Sequence, residues 1–271
     1  MGAGVMVNTN ISSINASRVL AKNRGDLEQA MERLASGKRI NSSADDAAGM
    51  AVAAKMRAQV ASLNVSVRNI NDGISLLQTY DGAAAEVESI LVRMRELATQ
   101  INNQTYTEDD EGYASEEYAT LNAEIARIAT TTEFNRTAVS GETFAIKAGS
   151  LNTDADEVSL DLDDLDVSGD VATSISQATA AGELVDIDAA LDTISTARAK
   201  AGAYVSQLEY ALSNSQNQSQ RLTAALSGVE DADYATESAA LARGMVLAQA
   251  GTAMLAQANQ APQYILTLLR G

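Results

Sequence analysis

Carboxylates are the residues of this chain with the most evident chemical potential. The run DLDDLD, residues 161–166, places four acids within six positions, and such oxygen-rich stretches can bind Ca²⁺. The run lacks the glycine and the terminal glutamate of an EF-hand loop. Alternation along a β-strand would instead place several of these acids on one solvated face. We therefore favour an acidic surface over a calcium site, and we expect no metal and no cofactor.

Other groups that could perform catalysis are scarce. The chain has no His and no Cys, so it lacks the commonest general base and the thiolate nucleophile. The sequence SGKR at residues 36–39 contains a Gly-Lys pair but no upstream glycine-rich loop, so it does not predict a phosphate site. No short motif gathers carboxylate, Lys and Tyr side chains. The sequence predicts a protein that is not an enzyme and has no catalytic residues.

Two long stretches contain apolar residues that recur with a heptad period, and we call each of them a seam. The seams predict the helices that would position these residues. The first covers 56–101 in alternating steps of four and three, with one extra step of three at 77–80. The second covers 187–229 without a break, although three polar residues occupy its apolar positions: Arg198, Ser215 and Ser219. At about 1.5 Å per residue, each seam is roughly 65–70 Å long. Their matching lengths predict two helices, at about 43–102 and 186–229, that pack against each other.

Shorter elements lie around these seams. Residues 42–46 resemble two overlapping capping boxes at the start of the first long helix. A third helix is predicted at about 113–130, after an acidic loop at 105–112. Between about 140 and 170 the apolar period changes to two, which predicts a β-hairpin. We predict a mainly α fold: a long antiparallel coiled-coil or helical bundle with a small β-hairpin element and paired N- and C-terminal helices.

Charge is segregated along the chain. The net charge is −17, yet residues 1–25 hold three cations and no acid, and residues 238–271 hold two cations and no acid. The acidic balance argues against binding to nucleic acid. Because the two ends avoid the repulsion of the acidic middle, we expect them to be crowded together.

The two ends are also apolar. Gly244 and Gly251 lie seven residues apart, which favours close approach of a neighbouring helix. Pro262 is expected to kink or restart the last helix. No uninterrupted apolar run approaches 18 residues, so we expect no membrane insertion. The N-terminus lacks the basic and apolar regions of a cleaved secretory signal.

Four stretches resemble the signatures of bacterial flagellins. They are RLASGKRINSSADDAAGMAVAAKMRAQV (33–60), NINDGISLLQTYDGAAAEVESILVRMRELATQ (69–100), TEFNRTAVSG (132–141) and AQANQAPQYILTLLR (256–270). The resemblance implies a structural subunit that self-assembles into the extracellular filament of the bacterial flagellum for swimming motility. It also implies an inner core domain (1–42 plus 230–271), a second-shell domain (43–229) and no separate outer domains.

The resemblance implies several partners as well. The chain would form a homopolymer of many copies and would be exported unfolded through the flagellar type III channel without a cleaved signal peptide. An export chaperone, the filament cap and the junction proteins would be further partners. The resemblance also implies that a Toll-like innate receptor recognises a segment of this family, and the matching positions here are Arg93, Leu97 and Glu124.

The apolar terminal helices are the expected polymerisation surface, disordered in the monomer and covered only between subunits. Its residues are Ile11, Ile14, Leu20, Leu27, Met31, Leu34, Leu241, Gly244, Gly251, Leu255, Ile265, Leu266 and Leu269. Two alternatives remain open. One is a hook–filament junction protein of the flagellum, which assembles only a short ring. The other is a membrane-surface-binding amphipathic helical protein.

Overall fold

The computed structural model describes residues 9–103, 105–149 and 156–270, with side chains described as far as residue 260. The described helices are α1 (Ile11–Ser36), α2 (Ala47–Ile101), α3 (Glu108–Thr131), α4 (Ala180–Glu230) and α5 (Tyr234–Arg270). The described strands are β1 (Glu133–Phe134), β2 (Thr137–Ala138), β3 (Thr143–Lys147) and β4 (Glu157–Asp161). The mainly α prediction is confirmed.

The first long helix starts later than the capping pattern predicts. Oδ2 of Asp45 accepts the backbone N–H groups of Asn41 (3.2 Å) and Ser42 (2.9 Å), so this carboxylate closes a turn before the helix. Oδ1 of Asp46 then accepts the N–H of Gly49 (2.8 Å) and caps α2. The aspartate half of the first predicted box is therefore present, since Asp45 accepts the Ser42 N–H, but Asp46 and not a serine caps α2.

The predicted acidic loop is largely the first turn of α3. Thr107 and Asp110 form a reciprocal capping box, and four acids, Glu108 to Glu111, occupy the first turn. Negative side chains stabilise that end of a helix because it carries a partial positive charge. The loop prediction is wrong at Glu108 to Glu111, because these acids interrupt the apolar period and yet stabilise the start of the helix.

The predicted hairpin is present, and a second, shorter one precedes it. β3 pairs antiparallel with β4, with Phe144 opposite Leu160 and Ile146 opposite Val158. Most of the connecting stretch LNTDAD lies outside the described residues. β1 pairs with β2 across Asn135 and Arg136, which have φ angles of 51° and 67°. A sequence reading misses this turn because Arg is not a residue that signals positive φ.

The chain divides into two compact units: residues 1–57 with 223–271 (unit 1), and residues 58–222 (unit 2). In unit 2, the seam residues that were expected to pack are buried. Those with no exposed surface include Leu63, Ile70, Leu77, Tyr80, Leu91, Met94, Ile187, Ile194 and Leu208. Arg95 Nε donates a hydrogen bond to Asp188 Oδ1 (2.7 Å), and Ser219 Oγ donates one to Asn64 Oδ1 (3.1 Å). These contacts align α2 and α4 antiparallel.

The polar residues of the second seam all find partners in unit 2. Arg198 Nε donates to Asp81 Oδ1 (2.9 Å), and the same guanidinium forms an ion pair with Glu88, one heptad further along α2. Ser215 Oγ donates to the carbonyl oxygen of Ala148 (2.9 Å) beside β3. Each of these bonds requires one alignment of the helices, so the polar positions favour a single register.

Unit 1 contains α1, α5 and the adjoining ends of α2 and α4. Gly37 ends α1 with φ 71°, in the left-handed region that glycine adopts without strain. The chain beyond it pairs with the end of α4: the N–H of Arg39 donates to the Glu230 carbonyl (2.7 Å), and that of Ala232 donates to the Gly37 carbonyl (3.0 Å). α5 continues as one helix past Pro262, so the predicted restart does not occur.

Candidate functional site

The pairing of α1 with α5 is the centre of the candidate site. The two helices run antiparallel, and leucines of α1 face glycines of α5. A Cβ atom added to Gly251 would lie 3.2 Å from Cδ1 of Leu20, and one added to Gly244 would lie 3.4 Å from Cβ of Leu27. The two glycines, seven residues apart, therefore provide the space into which the two leucines pack. This is the close approach that the glycine spacing predicts.

Polar side chains fix the register of this pair. The amide groups of Asn10 and Asn23 donate to the carbonyl oxygens of Ala258 (2.7 Å) and Gly244 (2.9 Å). Such bonds to helix carbonyls require the backbones to lie close together. Near the other end of α1, Arg33 Nη1 lies 3.1 Å from Glu237 Oε1. The pair is thus anchored at both ends and in the middle.

The carboxylate of Glu230, the last residue of α4, is buried and forms two ion pairs within unit 1. Glu230 is 5% exposed, and its oxygens lie 2.5 Å from Lys38 Nζ and 3.5 Å from Arg57 Nε. A buried charge needs such partners, because leaving it unpaired costs several kcal/mol, about 3–5. The sequence alone gave no indication of this cluster, since its three members lie far apart along the chain.

One face of the pair is covered, and the other is not. Of the residues expected to form the polymerisation surface, Leu20 and Gly244 are buried between the helices. Five are partly buried: Leu27, Leu34, Leu241, Gly251 and Leu255. Three face solvent: Ile11, Ile14 and Met31. The side chains of the last three lie outside the described residues: Ile265, Leu266 and Leu269.

The uncovered face also contains apolar residues that the sequence reading missed. Val19 is 62% exposed, Val246 is 67% exposed and Met254 is 66% exposed, and Met245 and Leu247 lie beside them. The sequence does not single them out, because exposed valines and methionines on a helix are common and carry no motif. A second apolar stripe on a helix that already has a partner is the signal that would have found them.

A shallow groove runs along the joint between the two helices. It has a volume of about 510 Å³ and its walls include Val19, Leu20, Leu247, Gly251 and Met254. Lys22 and Asp26 lie on its rim. The groove is mainly apolar and carries two charges of opposite sign, which suits the side chains of a neighbouring helix better than a small polar substrate.

Residues 234–260 of α5 are, by length and composition, long and apolar enough to cross a membrane. This differs from the expectation drawn from uninterrupted apolar runs, because Ala, Leu, Val and Met make the helix apolar on average although polar residues interrupt each run. The criterion concerns length and composition only. In the structure, the small-residue stripe of this helix packs against α1.

Comparison with known proteins identifies the family. The family model "Bacterial flagellin N-terminal helical region" matches residues 7–139, and "Bacterial flagellin C-terminal helical region" matches residues 184–269. A flagellin of Halalkalibacterium halodurans is 42% identical over 272 residues, which cover 98% of this chain and 100% of that protein. The chain belongs to the flagellin family. It is therefore a structural subunit of the bacterial flagellar filament, which is extracellular.

A further relative agrees with this family, and one solved structure is also similar to the chain. A flagellin of Listeria innocua is 38% identical to this flagellin over 283 residues, which cover 97% of this chain and 99% of that protein. The crystal structure of Bacillus cereus flagellin matches with 30% identity and a TM-score of 0.49, covering 55% of this chain and 88% of that one.

The three residues matched to receptor recognition lie in unit 2 with different exposures. Arg93 is exposed and pairs with Glu96 (3.0 Å) and Glu117 (2.8 Å), and these hydrogen bonds raise the pKa of its guanidinium. Glu124 is half-exposed and pairs with Arg127, whose hydrogen bond lowers the pKa of the Glu124 carboxyl. Leu97 is buried in the core of unit 2.

The acidic run at 161–166 pairs with a cation of the chain. Lys200 Nζ lies 2.9 Å from Asp163 Oδ1 and 3.2 Å from Asp161 Oδ2. Within the described residues, no group of three or more acids is arranged to hold a metal ion. The Asp163 carbonyl also accepts the Tyr80 hydroxyl (2.8 Å), and burial, followed by the charges of Asp163 and Asp164, raises the pKa of this phenol. The run therefore ties the segment after β4 to α2 and α4.

Proposed function

We propose that this flagellin polymerises through the α1–α5 pair, whose uncovered apolar face is buried against other copies, and that its role is structural and not catalytic. The observation that carries this proposal is the set of large exposed apolar residues on both helices: Ile11, Ile14, Val19, Val246, Leu247 and Met254. Fully burying one such side chain contributes about 1.5–3 kcal/mol. A few of them per contact suffice to order the terminal helices on assembly.

The domain assignment belongs to the same proposal. Residues 1–42 with 230–271 form the inner core of the polymer, and residues 43–229 form its second shell. The contact that supports the first group is the antiparallel α1–α5 pair, because it joins the two ends of the chain into one apolar element.

The direct test removes apolar surface from α5 without removing the helix. Val246→Ser with Met254→Ser is expected to abolish elongation of purified protein from filament seeds, measured by light scattering and electron microscopy. The matched control is Val185→Ser with Tyr210→Ser, since these side chains are 68% and 79% exposed on α4 in unit 2. Normal elongation by the α5 variant, or equal loss in the control, would overturn the proposal.

The two alternatives predict different results with the unmodified full chain. A hook–filament junction protein would add a short ring to seeds and then stop, whereas the proposed subunit grows long filaments. A membrane-surface binder would bind anionic vesicles in a manner that falls with added salt. The described part of α5 has few charges, Glu237 and Arg243 among residues 234–260, so we expect no salt-dependent vesicle binding.

Export and partner proteins follow from family membership as further proposals. We propose export in an unfolded form without a cleaved signal peptide, and contacts with an export chaperone, the filament cap and the junction proteins. An innate receptor that binds unit 2 would contact the exposed Arg93 and the half-exposed Glu124. The buried Leu97 would contribute by packing in the core beneath them and not by direct contact. Arg93→Ala is expected to weaken receptor activation, with Arg68→Ala as the exposed control on the same helix.

A further inference from the structure

Residues 37–39, which follow α1, pair antiparallel with residues 230–232, which precede α5. Two backbone hydrogen bonds, 2.7 and 3.0 Å long, flank the bridge between Lys38 and Asp231. We call this contact the clasp. Because α1 ends immediately before the clasp and α5 begins shortly after it, the clasp holds one end of each helix beside the other.

The clasp is held closed by the Glu230 carboxylate, which is 5% exposed. Lys38 belongs to one strand of the clasp and Glu230 to the other, so their ion pair exists only while the clasp is closed. Arg57 is the second cation beside this carboxylate. An unpaired buried charge is unfavourable, so the two cations favour the closed clasp.

The apolar packing of α1 on α5 does not by itself select one alignment. α1 carries three leucines spaced by seven residues, and α5 carries three small residues with the same spacing: Leu20, Leu27 and Leu34, and Gly244, Gly251 and Ala258. In the structure, Leu20 packs at Gly251 and Leu27 packs at Gly244. A shift of α1 by seven residues, about 10.5 Å, would again place each leucine opposite a small residue.

The polar contacts along the pair resist such a shift to different extents. The amides of Asn10 and Asn23 fix the register within a heptad, but a helix offers equivalent carbonyl acceptors seven residues further along. Two side-chain contacts would break, and both are at least partly exposed: Ser13 with Asn259, and Arg33 with Glu237. The clasp opposes the shift most strongly, because its strands would be drawn about 10.5 Å apart.

We propose that Glu230, paired with Lys38 and Arg57, is the positioning residue that selects the heptad in which α1 meets α5. This inference rests on the proposed function, because the alignment matters for assembly only if the α1–α5 pair is the contact between copies. Val19 and Met254 line one groove in the structure. A shifted pair separates them along the helix axis, so it presents a different apolar face and does not add to a filament end.

The first test opens the clasp in the full chain. Lys38→Met with Arg57→Met leaves the buried Glu230 without a cation, so the clasp opens and the carboxylate reaches water. Fewer copies then have the aligned pair, and seeded elongation is expected to fall by about tenfold or more. Lys55→Met with Arg68→Met removes the same charge from exposed positions of α2 and should elongate like the unmodified chain.

A second substitution separates alignment from stability. Ala258→Leu fills the place that Leu20 would face in the shifted pair, whereas in the structure Ala258 lies beside Asn10. Alone it should leave elongation unchanged, and added to the open-clasp variant it is expected to restore elongation. Ala256→Leu adds the same volume at an exposed position on the opposite side of α5, so it should restore nothing.

A disulfide can replace the ion pairs, because the chain has no cysteine of its own. Lys38 and Asp231 form a non-hydrogen-bonded antiparallel pair, in which the Cα atoms lie about 4.5 Å apart, within disulfide range. Lys38→Cys, Asp231→Cys and Arg57→Met together should elongate slowly when reduced and near the unmodified rate when oxidised. In the open-clasp variant, Ala145→Cys with Ser159→Cys across β3 and β4 should show no recovery on oxidation.

The outcomes distinguish this inference from the proposed function. Recovery by Ala258→Leu and by oxidation supports selection of the heptad, with the helicity of each variant checked by circular dichroism. Normal elongation of the open-clasp variant, failure of either recovery, or equal recovery with Ala256→Leu would overturn it. The Val246→Ser, Met254→Ser variant keeps an intact clasp, so its normal elongation would instead overturn the proposed function.

Discussion

The two units of this flagellin bury their apolar residues to very different extents. Unit 2 packs its seams, α3 and the β3–β4 hairpin around one core in which even Tyr80 and Tyr118 have no exposed surface. In unit 1, α1 and α5 cover one stripe of each other and leave Val19, Val246 and Met254 more than 60% exposed. Two helices have a single shared face, so a second apolar stripe on each has nothing within the pair to cover it.

Polar groups show the same contrast. Inside unit 2, the Glu183 carboxylate is 8% exposed and accepts the Tyr118 hydroxyl (3.2 Å) and the Ala172 N–H (3.0 Å). Burial and the nearby Glu183 charge raise the pKa of the Tyr118 phenol. On α1, by contrast, six charges remain exposed without an ion-pair partner in the described residues. Unit 2 therefore pairs these buried polar groups within the chain, whereas unit 1 leaves charged and apolar side chains exposed, as the proposed assembly through α1 and α5 requires.

The strongest test of this contrast removes a large side chain from the closed core. Tyr80→Ala deletes a fully buried ring and its hydrogen bond to the Asp163 carbonyl. We expect the unfolding free energy of the monomer to fall by about 3–5 kcal/mol, measured by urea denaturation. Tyr210→Ala, at a position 79% exposed, should change it by about 0.5 kcal/mol or less. Equal losses of unfolding free energy in the two variants would contradict the burial of Tyr80 in the core of unit 2.

A bulky side chain in place of a glycine of α5 tests the packing between α1 and α5 in unit 1. Gly244→Leu places a bulky side chain where a Cβ already lies 3.4 Å from Leu27. The α1–α5 pair should lose about 1–3 kcal/mol, measured as faster amide hydrogen exchange in both helices with unit 2 unchanged. Gly25→Leu is the matched control, because no atom lies within 4 Å of the corresponding position. Unchanged exchange in the Gly244 variant would contradict the close packing.

A smaller effect is expected from the charged position of the second seam. Arg198→Met keeps much of the aliphatic part of the side chain but removes its ion pairs with Asp81 and Glu88. Because these side chains are partly exposed, the unfolding free energy should fall by about 0.5–1 kcal/mol, and the difference should shrink in high salt. Arg68→Met has no ion pair to remove in the described residues and serves as the control. A salt-independent loss would indicate packing and not charge.

The smallest effect concerns acidity at the start of α5. Hydrogen bonds from Thr236 and from the N–H of Ala235 lower the pKa of the Asp233 carboxyl. Since the folded pKa lies below the unfolded value of about 4, the stabilisation is present above that pH and is lost as the pH falls through the folded pKa. Amide exchange in the first turn of α5 should therefore accelerate in acid. Asp233→Ala should remove this dependence, whereas Asp72→Ala on α2 should retain it.

Much of unit 2 could be predicted because its signals are periodic. The seams at 56–101 and 187–229 gave the long helices, and the change to a period of two near Phe144 gave the hairpin. The helix starts were less predictable, because Asp46 and Thr107 act through local hydrogen bonds that compete with other caps nearby. The β1–β2 turn was missed, since positive φ at Arg136 is imposed by its surroundings and not by its residue type.

The sequence by itself determined the helical content, the antiparallel seams, the acid-free apolar ends and the family of this protein. These properties depend on composition, period and local motif, which survive without knowledge of distant contacts. Only the tertiary structure decided which stripe of α1 and α5 is covered, that Glu230 is held by Lys38 and Arg57, and that Leu97 is buried. Those facts depend on residues far apart in the chain, and burial is a property of their arrangement in space.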